Sequence, residues 1–247
     1  MRRRWIADEV DFARGRASLT GDHALHLARV LRAAPGQEFD IITEVEGRPV
    51  VRLGRISSVT EQRVEFELAE ELPESGEVPS VTLFLAVFKF DRMEWAIEKA
   101  VELGVARVVP VIARRTEKHL AATAGKRSER WRRIAHEAAQ QSRCNSPPEI
   151  ADPLKLEAAI ESAQGIGIVL AEAERMRSLR EILDKVPEGS PVSLAVGPEG
   201  GWTADEIKRF ADSGWHSASL GPTILRAETA AIAALAVVMA MAGSSAD

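Results

Sequence analysis

The sequence of 247 residues contains only one cysteine, Cys144, and its five histidines do not fall into a metal-binding spacing. An internal disulfide is therefore excluded, and a structural zinc site is not expected. A chain that cannot form internal disulfides is typical of a reducing compartment, so we expect a cytoplasmic protein.

Long hydrophobic segments are also missing. The most apolar run, AAIAALAVVMAMAG at 230–243, is too short to cross a bilayer comfortably. It predicts a buried, alanine-rich helix, whose small side chains would also allow a second subunit to approach closely. The start of the chain, MRRRWIADEV, has basic residues but not the apolar segment of a signal peptide. We therefore expect no membrane association.

An excess of positive charge is absent from the chain as a whole, whose formal net charge is −5. Binding to a nucleic acid would therefore need a local basic patch. Residues 1–32 provide one, because they hold seven arginines and four acidic residues, a net charge of +3. Arginine is suited to bidentate contacts with phosphate. The candidate phosphate contacts are Arg2, Arg3, Arg4, Arg14, Arg16, Arg29 and Arg32.

The stretch ELPESGEVPS at 71–80 has the composition of a linker and predicts two domains, at residues 1–73 and 78–247. The second domain alternates between apolar strands and amphipathic helices, which favours an α/β fold with a mostly parallel sheet. The predicted strands are VTLFLAVF (81–88), RVVPVIA (107–113), IGIVLAE (166–172), VSLAV (192–196) and HSASL (216–220). The predicted helices cover 91–104, 128–141, 154–163, 178–186, 203–214 and the alanine-rich segment from about Ala227.

The first domain is rich in strand-forming residues, and we expect a small β-barrel. One helix is predicted at 22–33, with Leu25, Ala28 and Leu31 on its apolar face. His23 and His26 lie one helical turn apart. They predict either a partly buried capping pair or a contact of His26 with RNA. The predicted strands are EFDIIT (38–43), RPVVRLGRIS (48–57) and RVEFELAEE (63–71).

A glycine-rich turn joins a buried strand to a helix in LAVGPEGGWTADEI (194–207). Ligands of parallel α/β sheets bind beyond the carboxyl ends of the strands. The three glycines of GPEGG would let the backbone approach a ligand and turn sharply. One such loop is usually only a turn, but LGPTILRAET (220–229) repeats the Gly-Pro pair after the next strand. Two such loops side by side predict a cleft lined by backbone.

Several motifs of other enzymes are absent. No G-x-G-x-x-G follows the first strand of the second domain, which disfavours a dinucleotide-binding fold. The segment GKRS at Gly125 lacks the upstream glycine of a P-loop. Nothing resembles the nucleophile elbow of the α/β-hydrolases.

The segments VGPEGGWTADE and LGPTILRAETA, with EKAVELGV and QQSRCNSPPEI upstream, closely resemble those of a SPOUT methyltransferase family. These bacterial enzymes methylate N3 of one uridine in 16S (small-subunit) ribosomal RNA. The resemblance covers nearly the whole chain, including HALHLARVLRAAPGQEF in the first domain. It implies a trefoil-knotted, mostly parallel sheet with helices on both faces and an N-terminal, PUA-like RNA-binding barrel. It also implies a homodimer, S-adenosylmethionine as cofactor, and ribosomal RNA within an assembled small subunit as substrate.

By this resemblance, three loops of the second domain bind the cofactor. Adenine needs backbone partners and an apolar slot, and the positive sulfonium favours a nearby carboxylate such as Glu199 or Glu228. The implied cofactor-binding residues are Leu170, Ala171, Glu172, Gly197, Pro198, Glu199, Gly200, Gly201, Leu220, Gly221, Pro222, Ile224, Leu225, Arg226, Ala227, Thr229 and Ala230.

Methyl transfer to N3 of uridine requires the proton on this nitrogen to leave. The enzyme must therefore supply a base or stabilise the anion that develops across O2, N3 and O4. Arg226 and Arg143 are candidates for anion stabilisation and RNA positioning. Glu98 and Glu228 are candidates for the base or for orienting those arginines, although Glu98 would equally suit a solvated helix face. No metal is needed for this reaction.

Two other functions stay open at this point. One is a non-enzymatic RNA-binding protein whose second domain only mediates dimerisation, against which the intact set of loops argues. The other is a nucleotide- or phosphate-binding enzyme that uses GPEGG as an anion cradle. Binding of S-adenosylmethionine and of ATP would distinguish the three functions.

Overall fold

In the computed structural model the chain divides into two compact units, residues 1–75 and 76–247. Each unit has a hydrophobic core of its own. Among the described residues, no helix is long and apolar enough to cross a membrane, and no cluster of His, Cys, Asp and Glu could hold a metal ion. The structure describes residues 4–45, 48–72, 80–142, 147–174, 176–187 and 189–242.

The N-terminal unit contains one six-stranded sheet, formed by β1 (Arg4–Ile6), β2 (Glu9–Asp11), β3 (Arg16–Thr20), β4 (Glu38–Val45), β5 (Arg48–Val59) and β6 (Arg63–Glu71). The strand order is β1-β4-β5-β6-β3-β2, with β1 parallel to β4 and the other pairs antiparallel. The three predicted strands are confirmed as β4, β5 and β6. The first three strands were missed, because segments of three to five residues are too short to show a periodicity.

The predicted N-terminal helix is wrong in its extent and in its buried face. A short helix, α1 (Gly21–Leu25), continues into a single π-helical turn (His26–Val30). Leu27 is buried, whereas Leu25 and Val30 are 37% and 65% exposed. The segment is apolar at so many positions that residue spacing alone does not identify one face.

The C-terminal unit contains a sheet in which every pairing between its described strands is parallel, as expected for an α/β fold. Its strands are β7 (Val81–Ala86), β8 (Arg107–Ile112), β9 (Glu149–Ile150), β10 (Leu154–Lys155), β11 (Ile166–Leu170), β12 (Val192–Val196) and β13 (His216–Ala218). Their order is β10-β8-β7-β12-β11-β13, and β9 also pairs with β8.

Helices cover both faces of this sheet. Successive side chains of a strand point to opposite faces, so both sets are buried. Leu83 and Leu85 of β7 belong to one core cluster, and Phe84 and Ala86 belong to the other. The helices are α2 (Phe90–Glu102), α3 (Lys118–Thr123), α4 (Ser128–Ser142), α5 (Leu156–Glu161), α6 (Leu179–Leu183), α7 (Ala204–Asp212) and α8 (Ala227–Ala242). The first core cluster includes residues of α2, α4, α6 and α8, and the second includes residues of α5 and α7.

Two details differ from the sequence-based expectations. Leu154 begins a strand rather than a helix, because it pairs with β8 before α5 starts. The alanine-rich helix α8 is buried along one side, for example at Ala231 and Leu235, and partly exposed along the other. Glu71 ends β6, while residues 73–79 of the predicted linker lie outside the described residues.

Candidate functional site

The site is built at the carboxyl edge of the parallel sheet. From β7 the chain crosses to β8 on one side, whereas β11 and β13 lie on the other side, beyond β12. Such a change of direction opens a crevice between the strands concerned, here β7 and β12. The loops that follow β12, β11 and β13 meet at this edge. The two Gly-Pro loops are not side by side as predicted, because β11 is inserted between β12 and β13 and its own loop separates them.

Contacts within the protein hold the GPEGG loop. The N–H of Gly201 donates to the carbonyl oxygen of Pro198 at 2.8 Å and closes a turn, and its φ of +68° favours glycine. A Cβ at Gly197 would lie 3.1 Å from Nε1 of Trp202, and a Cβ at Gly200 would lie 3.3 Å from Arg115. At these two positions, glycine makes room for neighbouring side chains, a reason that differs from the predicted close approach to a ligand.

The loop after β13 is fastened at its base and open at its tip. The N–H of Ser219 donates to the carbonyl oxygen of Arg177, and the Ser219 hydroxyl accepts from the N–H of Gly221 at 3.1 Å. A Cβ at Gly221, where φ is +126°, would meet nothing within 4 Å. Ile224 is 79% exposed.

The loop after β11 is ordered by one carboxylate. Glu174 accepts hydrogen bonds from the N–H groups of Met176 (2.8 Å) and Arg177 (3.2 Å). These bonds, first that of Met176, hold the pKa of Glu174 below its usual range. Glu172 in the same loop lies beside GPEGG, with its carboxylate 3.7 Å from the position of a Cβ on Gly201. The three loops therefore form one connected surface.

A cluster of charges lies where α8 begins. Glu228, in the first turn of α8, is only 9% exposed. Its Oε1 lies 3.8 Å from Nε of Arg92, whose Nη1 donates to Oε1 of Glu199 at 2.9 Å. The second oxygen of Glu228, Oε2, is buried without a hydrogen-bond partner among the described residues. Arg226, two positions earlier, is exposed.

A second arginine, Arg115, forms a hydrogen bond with the backbone of the GPEGG loop. Arg115 follows β8, and its Nη1 donates to the carbonyl oxygen of Gly200 at 2.5 Å. The N–H of the preceding Arg114 donates to Oε1 of Glu206 at 2.7 Å. The other oxygen of Glu206 accepts from the N–H of Thr203, which caps α7. The confirmed capping box therefore places a carboxylate at the N-terminus of α7, where an anionic ligand would need free N–H groups.

Two of the four catalytic candidates, Arg226 and Glu228, lie at this site. Glu98 lies in the middle of α2, where it pairs with Lys99 at 2.7 Å and lines a groove between α2 and α4. Its hydrogen bonds and ion pairs among the described residues do not reach the three loops. The candidates that lie outside the described residues are Arg143 and, in the basic patch, Arg2 and Arg3.

The basic candidates of the N-terminal unit differ in their partners. Arg16 and Arg32 are exposed and form no ion pair within the described part of the chain. His26 is exposed, and its ring centroid lies 5.8 Å from that of Trp5. The arginines that form ion pairs are Arg4 with Asp40 (3.8 Å), Arg14 with Asp11 (3.8 Å) and Arg29 with Glu61 (2.8 Å).

Sequence reasoning missed Arg92 and Arg115. Both lie soon after the carboxyl end of a strand, Arg92 in the first turn after β7 and Arg115 after β8. The rule that led to the glycine-rich loops would have found both residues if it had been applied to these earlier strands as well.

Most of the chain is similar to known ribosomal RNA methyltransferases. Residues 76–239 match the family model of the RNA methyltransferase domain. Ribosomal RNA small subunit methyltransferase E from Bacillus subtilis is 31% identical over 90% of this chain and 88% of its own length. The protein of the same name from Synechocystis sp. is 34% identical over 91% of this chain and 73% of its own.

A solved structure shares the fold over almost its full length. The crystal structure of ribosomal RNA small subunit methyltransferase E from Neisseria gonorrhoeae, bound to S-adenosyl methionine, superposes with a TM-score of 0.77 and 27% identity. The match covers 97% of this chain and 98% of that one. The chain belongs to the family of RNA methyltransferase domains.

Proposed function

We propose that the protein is an S-adenosylmethionine-dependent methyltransferase that modifies N3 of a uridine in small-subunit (16S) ribosomal RNA. One observation carries most weight within this family: the buried carboxylate of Glu228 lies at the start of α8 beside Arg92, which also binds Glu199 of the GPEGG loop, and its Oε2 has no hydrogen-bond partner among the described residues. A buried oxygen without a partner is costly unless a ligand completes its hydrogen bond. The position is therefore suited to contact the reacting groups.

The residues of the three loops fit the proposed cofactor. S-adenosylmethionine, when bound, supplies the methyl group and retains the electron pair of the broken carbon–sulfur bond. Glu199 and Glu228 share a single guanidinium, that of Arg92, so these three side chains together carry a net negative charge that favours a sulfonium. The open space at Gly221 and the exposed Ile224 offer backbone and apolar surface for an adenine. Leu170, Leu220 and Leu225 would contribute to the same slot.

Glu228 is our choice for the base. Its carboxylate would take the proton from N3, whose electron pair then forms the bond to the methyl carbon. Glu98 is less suited to this role, because its side chain is 45% exposed and already paired with Lys99. Arg226 precedes the N-terminus of α8, where the helix dipole adds positive potential. It would stabilise the negative charge on the uracil oxygens. We keep Arg143 as a candidate for positioning the RNA.

The N-terminal unit, which we propose to be a PUA-like barrel, would bind the RNA. Arg16 and Arg32 are exposed and can contact phosphates directly. Arg14 and Arg29 are bound to carboxylates only at the surface, where ion pairs contribute little, so a phosphate can replace those partners. His26 and Trp5 would add a surface for stacking.

The assembly forms the finer part of the proposal. The sequence resemblance supports a trefoil knot in the C-terminal unit, and the insertion of β12 between β7 and β11 is compatible with one. The partly exposed side of α8, with Ile232 and Val237, supports a homodimer. The domains would comprise residues 1–73 and 78–247. The substrate would be an assembled small subunit, in the cytoplasm.

The competing anion-cradle function finds little support. A phosphate at GPEGG would need the free N–H groups of α7, but Glu206 occupies that N-terminus with its own negative charge. Titration calorimetry with S-adenosylmethionine and with ATP tests this difference. We expect binding of the former alone, together with transfer of a labelled methyl group to small-subunit RNA. Binding of ATP alone would overturn the proposed function, and cofactor binding without transfer would leave a binding protein.

A further inference from the structure

We infer that Arg92 is a positioning residue for methyl transfer: it holds Glu199 and Glu228 in place, so that the carboxylate of Glu228 keeps the orientation in which it meets the reacting uracil. This inference rests on the proposed function and deepens it. Neither the glycine-rich motifs nor the proposed acid–base roles include Arg92.

The guanidinium of Arg92 connects three parts of the site. It extends from the first turn of α2, donates to Glu199 in the GPEGG loop at 2.9 Å, and lies 3.8 Å from Glu228 at the start of α8. Glu199 is 107 positions away in the sequence. Because a guanidinium is planar and has donors at fixed angles, its position restricts both carboxylates at once.

Burial makes this restraint important for Glu228. A carboxylate that is only 9% exposed is costly without a positive partner, and Arg92 provides the ion pair that the structure gives it. The pair engages Oε1, and Oε2 is buried without a hydrogen-bond partner among the described residues. Arg92 therefore restricts the orientation of a carboxylate that has no other ion-pair partner in the described part of the chain.

A purely structural role would have a different signature. The helices α2 and α8 also share the apolar core, where Ile97, Ala231 and Leu235 are fully buried, so their packing does not depend on the ion pair alone. Loss of Arg92 should therefore lower the rate of the chemical step strongly but change the free energy of unfolding little. A lysine in its place would retain the charge but not the two-sided contact.

The test compares Arg92→Ala, Arg92→Lys and Glu228→Gln in the full-length protein. The matched control is Arg130→Ala, which removes a bidentate Arg–Glu pair between α4 and α2 (2.7 and 2.8 Å to Glu94). We expect kcat to fall about a hundredfold in Arg92→Ala, the cost of a small misplacement of a reacting group. The KM for RNA and the Kd for S-adenosylmethionine should change far less, Arg92→Lys should regain part of kcat, and the control should retain it.

A double variant completes the test. If Arg92 acts through Glu228, adding Arg92→Ala to Glu228→Gln should lower kcat little further, because residues that act as a unit are not additive. Independent effects in the double variant, an unimpaired Arg92→Ala, or a loss of cofactor affinity as large as the loss of kcat would overturn the inference. A wild-type protein that transfers no methyl group would overturn the proposed function, and the inference with it.

Discussion

Arg226 and Glu228 are two positions apart at the start of α8 but lie in different environments. Arg226 is exposed to the solvent from which the RNA would arrive, whereas Glu228 is buried against the core. An exposed arginine side chain can change its rotamer to reach a uracil as it binds. A buried carboxylate is held in one position by its neighbours. The pair is therefore suited to divide anion stabilisation and proton removal.

Substitution of Arg226 by alanine tests this division. We expect kcat to fall about a hundredfold or more, because the guanidinium would stabilise charge that develops only in the transition state. The Kd for S-adenosylmethionine should change little. Rapid-mix methylation and calorimetry measure the two effects, with Arg133→Ala on the exposed face of α4 as control. Near-normal turnover combined with lost cofactor binding would assign a structural role to Arg226.

At this scale the sequence identifies some site residues and not others. Glu199 and Glu228 could be predicted because they lie inside glycine-rich motifs that follow strands. Arg92 and Arg115 were missed because the rule on strand ends was applied only to the later, glycine-rich loops, and their contacts with residues far along the chain became evident only in the fold. The glycines were predicted correctly as part of a loop, but the neighbours that require them became evident only in the fold.

The start of helix α7 links two of the site's segments. Glu206 is 6% exposed and accepts from the N–H groups of both Thr203 and Arg114. The same carboxylate thus completes the capping box and fixes the segment that contains Arg115, the residue that supports GPEGG. The conformation of the GPEGG loop therefore depends in part on Glu206 of α7.

We predict that Glu206→Ala destabilises the protein by about 1 kcal/mol, because it leaves two partly buried N–H groups without their acceptor. It should also weaken cofactor binding, through the loosened segment around Arg115. Denaturant unfolding and calorimetry test both effects. Asp212→Ala is a suitable control, since Asp212 lies on the same helix and, among the described residues, forms an ion pair only with Lys208 at the surface. Unchanged cofactor affinity in Glu206→Ala would show that the loop does not need this support.

The loop after β11 should be sensitive to acid. The folded-state pKa of Glu174 is lowered, so the carboxylate stabilises the fold at neutral pH, and this stabilisation is lost as the pH falls through the lowered value. The loss should occur below the ordinary range of glutamate, about pH 4. In Glu174→Gln the difference in unfolding free energy between neutral and acidic pH should be smaller than in the wild type. An equal difference in both proteins would contradict this role.

Element prediction succeeded where local patterns decide the structure. The strands and helices of the C-terminal unit alternate clearly, and α2 buries Met93, Ile97, Ala100 and Val101, the spacing of an amphipathic helix. The insertion of β11 between β12 and β13 could not be predicted, because strand order depends on pairing between distant segments. The π-helical turn in the N-terminal unit was missed because it departs from the helical period.

At the scale of the whole molecule, the described catalytic and cofactor candidates belong to the C-terminal unit, and the basic patch belongs to the N-terminal one. We predict that residues 78–247 alone still dimerise and bind S-adenosylmethionine but methylate RNA poorly. Loss of the phosphate contacts should raise the Kd for RNA and flatten its salt dependence. Sedimentation, calorimetry and RNA titration at two salt concentrations test this division. Equal RNA affinity and salt slope in the truncated protein would move the RNA site to the C-terminal unit.

The central claim concerns the position of the transferred methyl group. The most direct measurement incubates the full-length protein with small subunits and S-adenosylmethionine and maps the modified nucleotide by mass spectrometry of RNA fragments. We predict one methyl group on N3 of a single uridine, and its loss when Glu228 is replaced by glutamine. A methyl group on a ribose or on another base, or no transfer by a protein that binds the cofactor, would contradict the account.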